Sequence, residues 1–231
     1  AMFDQNNGVA VGFGGFIART QDGGLSWYTV QQGKNFNINS VDAGENGIAI
    51  AVGNEGHAWQ TGDGGETWTS FMMPEQVRMQ AVTYFGNGCW LAVGDQRTMY
   101  RSCDNGITWD KMDLTGLEGQ IDFLSVVFVN PRIGWVSGTR GTILFTDDGG
   151  LTWGMGRTNL FLPIADVDFS DELNGMAVGP EGTVLVSNNG GRTWTKLDRV
   201  ADVGLLSVRA MGKKLQWVVG HNGAILRCDW E

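Results

Sequence analysis

The chain has 231 residues, with 36 glycines and only 4 prolines; 42% of its residues are hydrophobic and 18% are charged. This composition can fill a hydrophobic core, and it favours many tight turns over a disordered linker. The formal net charge of −9 argues against binding to nucleic-acid phosphates, which depends on Lys and Arg, and no apolar run approaches the roughly 18 residues that span a membrane.

An internal repeat runs along almost the whole chain. The repeat contains a Val-Gly or Ser-Gly pair, and five of these pairs are each followed by a segment of the pattern S/T-x-D/N-x-G-x-S/T-W, which we call the box turn. Successive box turns are 41, 41, 44 and 41 residues apart, and such a period is typical of repeat architectures. A sixth pair, Val219-Gly220, has no box turn after it. The box turns begin at Thr20, Thr61, Ser102, Thr146 and Ser187.

Each repeat can be divided into four short β-strands. In the second repeat these are residues 39–43, 47–53, 57–61 and 67–71, separated by Gly, Asn and Asp. The second strand is apolar at successive positions, as expected when both faces of a strand are buried. Four-stranded units of this length predict an all-β fold, a β-propeller.

We predict six blades in a single domain. The first repeat keeps only part of its first strand, and the sixth lacks its fourth. We therefore expect an imperfect seam between the first and sixth blades. The alternatives are that a partner covers the strand edge or that the sequence belongs to a longer chain, because an unpaired edge invites association. The predicted blades cover about residues 1–35, 36–77, 78–118, 119–161, 162–202 and 203–231.

The box turns are predicted to be structural. Their Asp or Asn can accept hydrogen bonds from backbone amides, their glycine permits a backbone that a β-carbon would strain, and their tryptophan fills space between blades. Five copies on one face do not converge as catalytic groups must, and Asn189 replaces the Asp of the other four. Calcium binding is the remaining alternative. The residues are Asp22, Trp27, Asp63, Trp68, Asp104, Trp109, Asp148, Trp153, Asn189 and Trp194.

These residues carry a resemblance to known repeats. The box turn resembles the Asp-box, or bacterial neuraminidase repeat, of sialidases and other propellers. The longer pattern, clearest in residues 175–194 (GMAVGPEGTVLVSNNGGRTW), is similar to the photosystem II stability/assembly factor-like repeat family, which has non-photosynthetic and phage members. Residues 84–109 are similar to the phage-type copies. The resemblance implies a β-propeller, but fold alone does not give function.

The sequence argues against an enzyme. A resemblance to sialidases would imply three arginines around a carboxylate, a tyrosine paired with a glutamate, and an acid, and none of the three tyrosines has an obvious Glu partner. The two histidines, His57 and His221, lack metal-ligand spacing to cysteine. The three cysteines are too few for a disulfide framework, so we expect incidental thiols. We expect no cofactor, no metal and no catalytic residue.

The strands of a blade alternate in direction, so its connections lie on two opposite rims. One rim carries the box turns. The other carries the loops from each fourth strand to the next blade and the turns between second and third strands. Apolar residues and arginines in these segments are what protein interfaces favour. The alternative is that the apolar side chains fold over the blade ends as a cap. The candidate partner-binding residues are Met72, Met73, Pro74, Arg78, Leu114, Leu117, Arg140, Arg157, Phe161, Leu162 and Arg199.

We therefore expect a non-catalytic platform for protein–protein interaction or assembly. The alternative is carbohydrate or receptor recognition by a phage virion or surface protein, and a sialidase-like glycosidase comes third. A protein interface needs a broad apolar patch, whereas a sugar site needs a pocket with one or two aromatics and acids. Binding to nucleic acid and a membrane span are not expected. An extracytoplasmic or virion-associated location is favoured, and the sequence leaves open whether copies assemble.

Overall fold

The computed structural model describes residues 1–198, 200–212 and 215–229. Within these ranges the chain forms 22 β-strands and five short 3-10 turns, and it contains no α-helix. The strands form six antiparallel sheets of three or four strands each. The chain divides into two compact units, Ala1–Asp113 and Leu114–Glu231. No helix in the described part of the chain is long and apolar enough to cross a membrane.

Unit 1 contains sheets 1 to 3. Sheet 1 has three strands and the other two have four, and in every sheet the strands pair in chain order. Sheet 1 is β1 (Gly8–Gly12), β2 (Phe16–Thr20) and β3 (Tyr28–Gln31). Sheet 2 is β4 (Ile38–Ala43), β5 (Ala49–Gly53), β6 (His57–Thr61) and β7 (Thr69–Met72). Sheet 3 is β8 (Met79–Gly86), β9 (Cys89–Gly94), β10 (Met99–Ser102) and β11 (Asp110–Lys111).

Unit 2 contains sheets 4 to 6, of which the last has three strands among the described residues. Sheet 4 is β12 (Phe123–Phe128), β13 (Gly134–Gly138), β14 (Ile143–Thr146) and β15 (Gly154–Met155). Sheet 5 is β16 (Asp166–Phe169), β17 (Gly175–Val178), β18 (Val184–Ser187) and β19 (Thr195–Lys196). Sheet 6 is β20 (Leu205–Ala210), β21 (Leu215–Gly220) and β22 (Ile225–Asp229).

The predicted all-β class and the six sheets are confirmed. The apolar second strands are the most buried: every residue of β5, β13 and β17 is buried. A strand that carries apolar side chains at successive positions is expected to be buried on both of its faces. The single domain and the blade boundaries stay predictions.

Sheets that follow one another in a unit pack face to face. In unit 1 the β5 residues Ile50 and Val52 form a cluster with Met79 and Val82 of sheet 3. In unit 2 the rings of Trp135 in sheet 4 and Phe169 in sheet 5 stack, with centroids 3.4 Å apart. The core of each unit therefore lies between its sheets, in layers repeated from one sheet to the next.

Polar side chains on first strands also join neighbouring sheets. In unit 1 the Asp42 carboxylate accepts a hydrogen bond from the Tyr84 backbone N–H at 2.8 Å. In unit 2 the Asp166 carboxylate accepts the hydroxyls of Ser125 at 2.5 Å and Ser207 at 2.7 Å, from the sheets before and after it. These bonds fix the register of one sheet against the next, since a shift would leave a carboxylate without donors.

Candidate functional site

Each box turn is closed by the same hydrogen bonds. In the second box turn the Thr61 hydroxyl accepts from the Gly65 backbone N–H at 3.0 Å and donates to Asp63 at 2.7 Å. The Asp63 carboxylate also accepts the Thr67 hydroxyl at 2.6 Å, and the Trp68 indole donates to the Gly65 carbonyl at 3.2 Å. The carboxylate is thus occupied within its own turn, which leaves it little capacity for a substrate or a metal ion.

The other box turns repeat this geometry with one exchange. In the fifth, Asn189 accepts from the Ser187 hydroxyl at 3.0 Å, but its amide nitrogen donates to the Thr193 hydroxyl at 2.7 Å. At the contact with Thr193 the amide is therefore the donor and the hydroxyl the acceptor, whereas in the Asp turns the hydroxyl donates to the carboxylate. This explains physically why Asn can stand where the other four turns have Asp.

Hydrogen bonds lower the pKa of the box carboxyls. For Asp63 the hydroxyl of Thr67 contributes most, and the pKa falls from 3.8 to about 2. For Asp104 the hydroxyl of Thr108 has the same effect, again to about 2. Burial acts to raise the pKa of Asp148, but hydrogen bonds from Thr152 and its neighbours outweigh it and the net direction is downward. These carboxyls are poor general acids or bases near neutral pH.

The box tryptophans differ in burial more than predicted. Trp194 is 6% exposed and packs between sheets 4 and 5. Trp68 and Trp109 are half-buried and pack against the sheet that precedes their own. The prediction of burial between sheets is wrong for Trp27, which is 44% exposed. Trp27 belongs to the first sheet of unit 1, where no preceding sheet of that unit can cover it.

In unit 1 the predicted rim residues do not form one surface. Met72 is 46% exposed at the end of β7 and Pro74 is exposed, but Met73 is 3% exposed and packs with Met79 in the core. Met73 therefore folds over the blade end as a cap, which was the alternative to binding a partner, because its side chain turns under the loop. Arg78 is exposed and forms an ion pair with Asp95 at 3.1 Å.

In unit 2 the structure brings two of the predicted arginines to one groove. Arg140 and Arg157 both line a groove of about 490 Å³, together with Glu118. Leu160 also lines it, and the next residue, Phe161, is 84% exposed. Neither guanidinium forms an ion pair with another described residue. The groove thus offers two positive charges without an ion pair among the described residues, and an exposed aromatic residue follows one of its lining residues in the chain.

The remaining rim predictions give less surface. Leu114 and Leu162 are half-buried, and Leu117 is only 9% exposed, so it lies in the core and not on the rim as expected. Its burial has the same cause as that of Met73, a loop side chain that folds inward onto the sheet end. Arg199 lies outside the described residues.

The backbone holds Arg140 at the apex of the turn Thr139–Gly141. Arg140 has φ +60°, a left-handed conformation that costs a non-glycine residue energy. A β-carbon on the next residue, Gly141, would lie 2.1 Å from the Leu160 carbonyl oxygen. Glycine is therefore required there, and it lets the loop of Arg157 lie against the turn of Arg140. The Thr158 hydroxyl fastens the two by donating to the Gly141 carbonyl at 2.7 Å.

A second pocket, of about 660 Å³, lies in unit 1 on the side of the box turns. It is lined by Phe3, Arg19 and three acids, Asp4, Glu45 and Asp63. The Arg19 guanidinium donates to Glu66 at 3.3 Å, while its Nε is buried with no hydrogen-bond partner among the described residues. No motif in the sequence points to this pocket, since its residues come from four separate segments.

No described group of three or more His, Cys, Asp or Glu side chains is placed to hold a metal ion.

Tyr100, one of the tyrosines, is only 1% exposed. Burial, with a smaller effect of the Glu75 charge, raises its pKa from 10.0 to about 12. Its hydroxyl is therefore protonated near neutral pH and cannot reach a solvent-borne substrate.

The expectation of incidental thiols is wrong for two cysteines. Cys89 and Cys103 form a disulfide that closes the hairpin of β9 and β10. The register of these strands pairs Trp90 with Ser102, which places the cysteines opposite each other one step further along. Once the β9–β10 hairpin is assigned, the opposite positions of Cys89 and Cys103 in the sequence predict the disulfide. Cys228 remains a thiol.

Comparison with known proteins shows the fold. No protein-family model and no curated protein matches the chain. YCF48 bound to a D1 peptide is 19% identical, with a TM-score of 0.53 over 100% of this chain and 90% of that one. YCF48 from Cyanidioschyzon merolae is also 19% identical, with a TM-score of 0.54 over 99% and 94%. The WD40 repeats of RRP9 are 8% identical, with a TM-score of 0.78 over 98% and 74%. Because WD40 repeats are propeller blades, the fold of this chain is that of a β-propeller.

Proposed function

We propose that the protein is a six-bladed, non-catalytic β-propeller of the Asp-box type that serves as a platform for protein interaction or assembly. Its partner docks on the groove of unit 2. The observation that carries this proposal is the pair Arg140 and Arg157 in one groove, both without an ion-pair partner in the described chain; the exposed Phe161 follows the lining residue Leu160.

The chemistry of the groove defines the partner segment. Guanidinium groups bind carboxylates through paired, charge-assisted hydrogen bonds. An exposed aromatic ring next to them provides an apolar anchor. The partner is therefore a peptide segment that carries Asp, Glu or a terminal carboxylate next to an apolar side chain. That YCF48, a structural neighbour, has been solved with a D1 peptide supports a peptide as the class of ligand.

Three observations support a role without catalysis. The box carboxyls are engaged within their turns and have lowered pKa values. Tyr100 is buried, and its pKa is raised to about 12. Asn189 replaces the acid in one box turn. A sialidase would need a tyrosine nucleophile activated by a neighbour, whereas burial and the Glu75 charge both act against ionisation of Tyr100.

The test is selection of binders from a phage-displayed random peptide library on the immobilised protein. We expect peptides enriched in acidic residues beside apolar ones. The double variant Arg140→Ala/Arg157→Ala should bind a selected peptide roughly tenfold more weakly, about 1.4 kcal/mol. Arg78→Ala is the matched control, because Arg78 is already paired with Asp95. Unchanged binding by the double variant, or selected peptides without acids, would refute the proposal.

A specific observation also favours carbohydrate recognition as a second candidate. The unit 1 pocket combines one aromatic residue, Phe3, with Arg19 and the acid Glu45, as a sugar site requires. A glycan array tests it. A bound glycan lost in Glu45→Gln but kept in Glu55→Gln, an exposed residue outside the lining, would support this function. An array without binders would reject it.

The disulfide Cys89–Cys103 supports the proposed extracytoplasmic or virion-associated location. Disulfides form and persist in oxidising compartments and are rare in the cytosol. Alkylation and mass spectrometry of protein from its native source would measure the fraction oxidised. A fully reduced pair there would contradict this location.

A further inference from the structure

Unit 2 contains a second groove, in sheet 5, at the position that the groove of Arg140 and Arg157 has in sheet 4. We call the two the sheet 4 groove and the sheet 5 groove. Each is bounded by the turn between the second and third strands of its sheet and by the end of the fourth strand. The sheet 5 groove has a volume of about 650 Å³. It is lined by Glu181, Gly182, Lys196, Leu197 and Asp198.

The backbones of the two grooves are equivalent. At the apex of the turn, Arg140 has φ 60° and ψ 30°, and Glu181 has φ 58° and ψ 31°. At the end of the fourth strand, the backbone N–H of Gly156 donates to the first residue of β14 at 2.8 Å, and that of Leu197 donates to the first residue of β18 at 3.0 Å. The residues that follow Gly156 and Leu197 are therefore counterparts as well.

The equivalent positions carry opposite charges. Arg140 of the sheet 4 groove corresponds to Glu181 of the sheet 5 groove, and Arg157 corresponds to Asp198. All four residues are exposed, and none forms an ion pair with another described residue. The two grooves thus present free charges of opposite sign at matching points of neighbouring sheets.

Each groove also contains one residue of the other sign and one exposed apolar side chain. These are Glu118 and Met155 in the sheet 4 groove, and Lys196 and Leu197 in the sheet 5 groove. Because two charges outnumber one, each groove keeps an excess of its own sign. Met155 is 56% exposed and Leu197 is 37% exposed, so both grooves offer apolar surface beside the charges.

The two grooves are close enough for one extended peptide. Arg157 forms a parallel β-bridge with Thr193, at the start of the outer edge of sheet 5, and bridged residues lie about 5 Å apart. Asp198 comes five residues after Thr193, which is at most about 18 Å along the chain. The backbones of Arg157 and Asp198 are therefore within roughly 23 Å, a span that about seven extended residues cover.

We infer that the partner segment is dipolar: its acidic residues bind the sheet 4 groove, and a Lys or Arg within about seven residues of them binds the sheet 5 groove. Opposite charges in the two grooves orient such a segment, because the reversed segment would meet like charges at both ends. Apolar residues between the charged ends would pack on Met155 and Leu197. This inference rests on the proposed function and adds the basic half of the partner segment.

Fluorescence anisotropy with three synthetic peptides tests the inference. The dipolar peptide has an acidic end, a spacer of about six apolar and neutral residues, and a basic end. The acid-only peptide lacks the basic end, and the scrambled peptide has the dipolar composition with its charges intermixed, which controls for net charge. Both chain orders of the dipolar peptide are synthesised. The better one should bind wild type roughly fivefold more tightly than either other peptide, the order expected from two exposed charge pairs.

Variants of the sheet 5 groove locate this preference. Glu181→Gln/Asp198→Asn should bind the dipolar peptide no more tightly than the acid-only peptide, and its affinity for the acid-only peptide should not fall. Glu55→Gln is the matched control, since Glu55 is exposed at the apex of the same turn in sheet 2 with φ 57°. It should retain the wild-type preference. Thermal melting establishes that the variants are folded.

The outcomes separate this inference from the proposed function. Equal affinity of wild type for the dipolar and scrambled peptides, or a preference that survives in Glu181→Gln/Asp198→Asn, would overturn the inference alone, provided that Arg140→Ala/Arg157→Ala still weakens binding of the acid-only peptide. Binding of the acid-only peptide that does not depend on these arginines would overturn the proposed function and the inference with it. So would the absence of binding by every peptide.

Discussion

At the scale of single residues, the box turns combine close packing with a left-handed backbone. Gly191 has φ +77°, and a β-carbon there would lie 2.6 Å from the indole nitrogen of Trp135. The same indole donates to the Gly190 carbonyl at 3.0 Å, so the ring of one sheet lies flat against the turn of the next. The glycine thus serves two purposes, turn geometry and contact between sheets.

Two glycine substitutions measure the backbone requirement and the contact with Trp135 separately. Gly191→Ala should lose about 1 kcal/mol for the left-handed backbone and roughly 1–3 kcal/mol more for the clash with Trp135. Gly212→Ala is the matched control, since Gly212 has φ +78° and no atom within 4 Å of its β-carbon position. Urea unfolding of both variants measures the difference. Equal losses would show that the Trp135 contact yields at no cost.

The box carboxyls predict sensitivity to acid. A carboxyl whose pKa is lower in the folded state than in the unfolded state adds stability above its unfolded value, and this stability is lost as the pH falls through the folded value. For Asp63 and Asp104 these values are near 3.8 and about 2. The melting temperature should therefore fall as the pH drops from 4 to about 2.

The matched variant for this prediction is Asp63→Asn, which has a natural counterpart in the fifth box turn, where Asn189 closes the same turn. It should fold and should lose less stability than wild type over the same acid range, because one titrating group is gone. Thermal melts at a series of pH values measure both curves. Parallel curves would mean that the carboxyl has the same pKa in the folded and unfolded states.

At the scale of elements, the hairpin is the repeating unit, and one hairpin carries an addition. The turn of the β9–β10 hairpin is closed by a hydrogen bond from the Gly94 N–H to the Thr98 carbonyl, and the disulfide Cys89–Cys103 joins the open end of the same hairpin. The β5–β6 and β17–β18 hairpins reach the same antiparallel pairing with hydrogen bonds alone. The disulfide is therefore an added constraint on a hairpin that forms without it.

Removing the disulfide should weaken the fold without abolishing it. Cys103→Ser should lower the free energy of unfolding by up to about 3 kcal/mol, the loop-closure effect for a separation near 15 residues. Unfolding in urea, with and without a thiol reductant, measures this effect. Reductant should lower the stability of wild type to that of the variant and leave the variant unchanged. A reductant effect of equal size on both would place the sensitive group elsewhere.

Strand positions could be predicted from the sequence, but several side-chain environments could not. The strands of the second repeat are predicted from apolar runs bounded by the turn residues Gly, Asn and Asp, and these are local signals. The burial of Met73 depends on how a loop folds back, and the ion pair of Arg78 with Asp95 depends on which turn lies beside that loop. Likewise the groove of Arg140 and Arg157 unites segments 17 residues apart through the turn of Gly141.

At the scale of the whole molecule, the two candidate sites differ in charge. The groove of unit 2 offers two arginines in a protein whose formal net charge is −9. The unit 1 pocket instead sets one arginine, Arg19, among acids such as Glu45. Capture of an acidic peptide should therefore occur on the groove and depend on charge.

Salt concentration tests the part that charge plays in the groove. Salt screens exposed charge pairs, so a peptide selected on the groove should bind more weakly as sodium chloride rises. The double variant Arg140→Ala/Arg157→Ala should show a smaller dependence on salt, because it lacks both guanidinium groups. Fluorescence anisotropy of a labelled peptide measures both curves, and wild-type binding that is independent of salt would contradict a charge-driven groove.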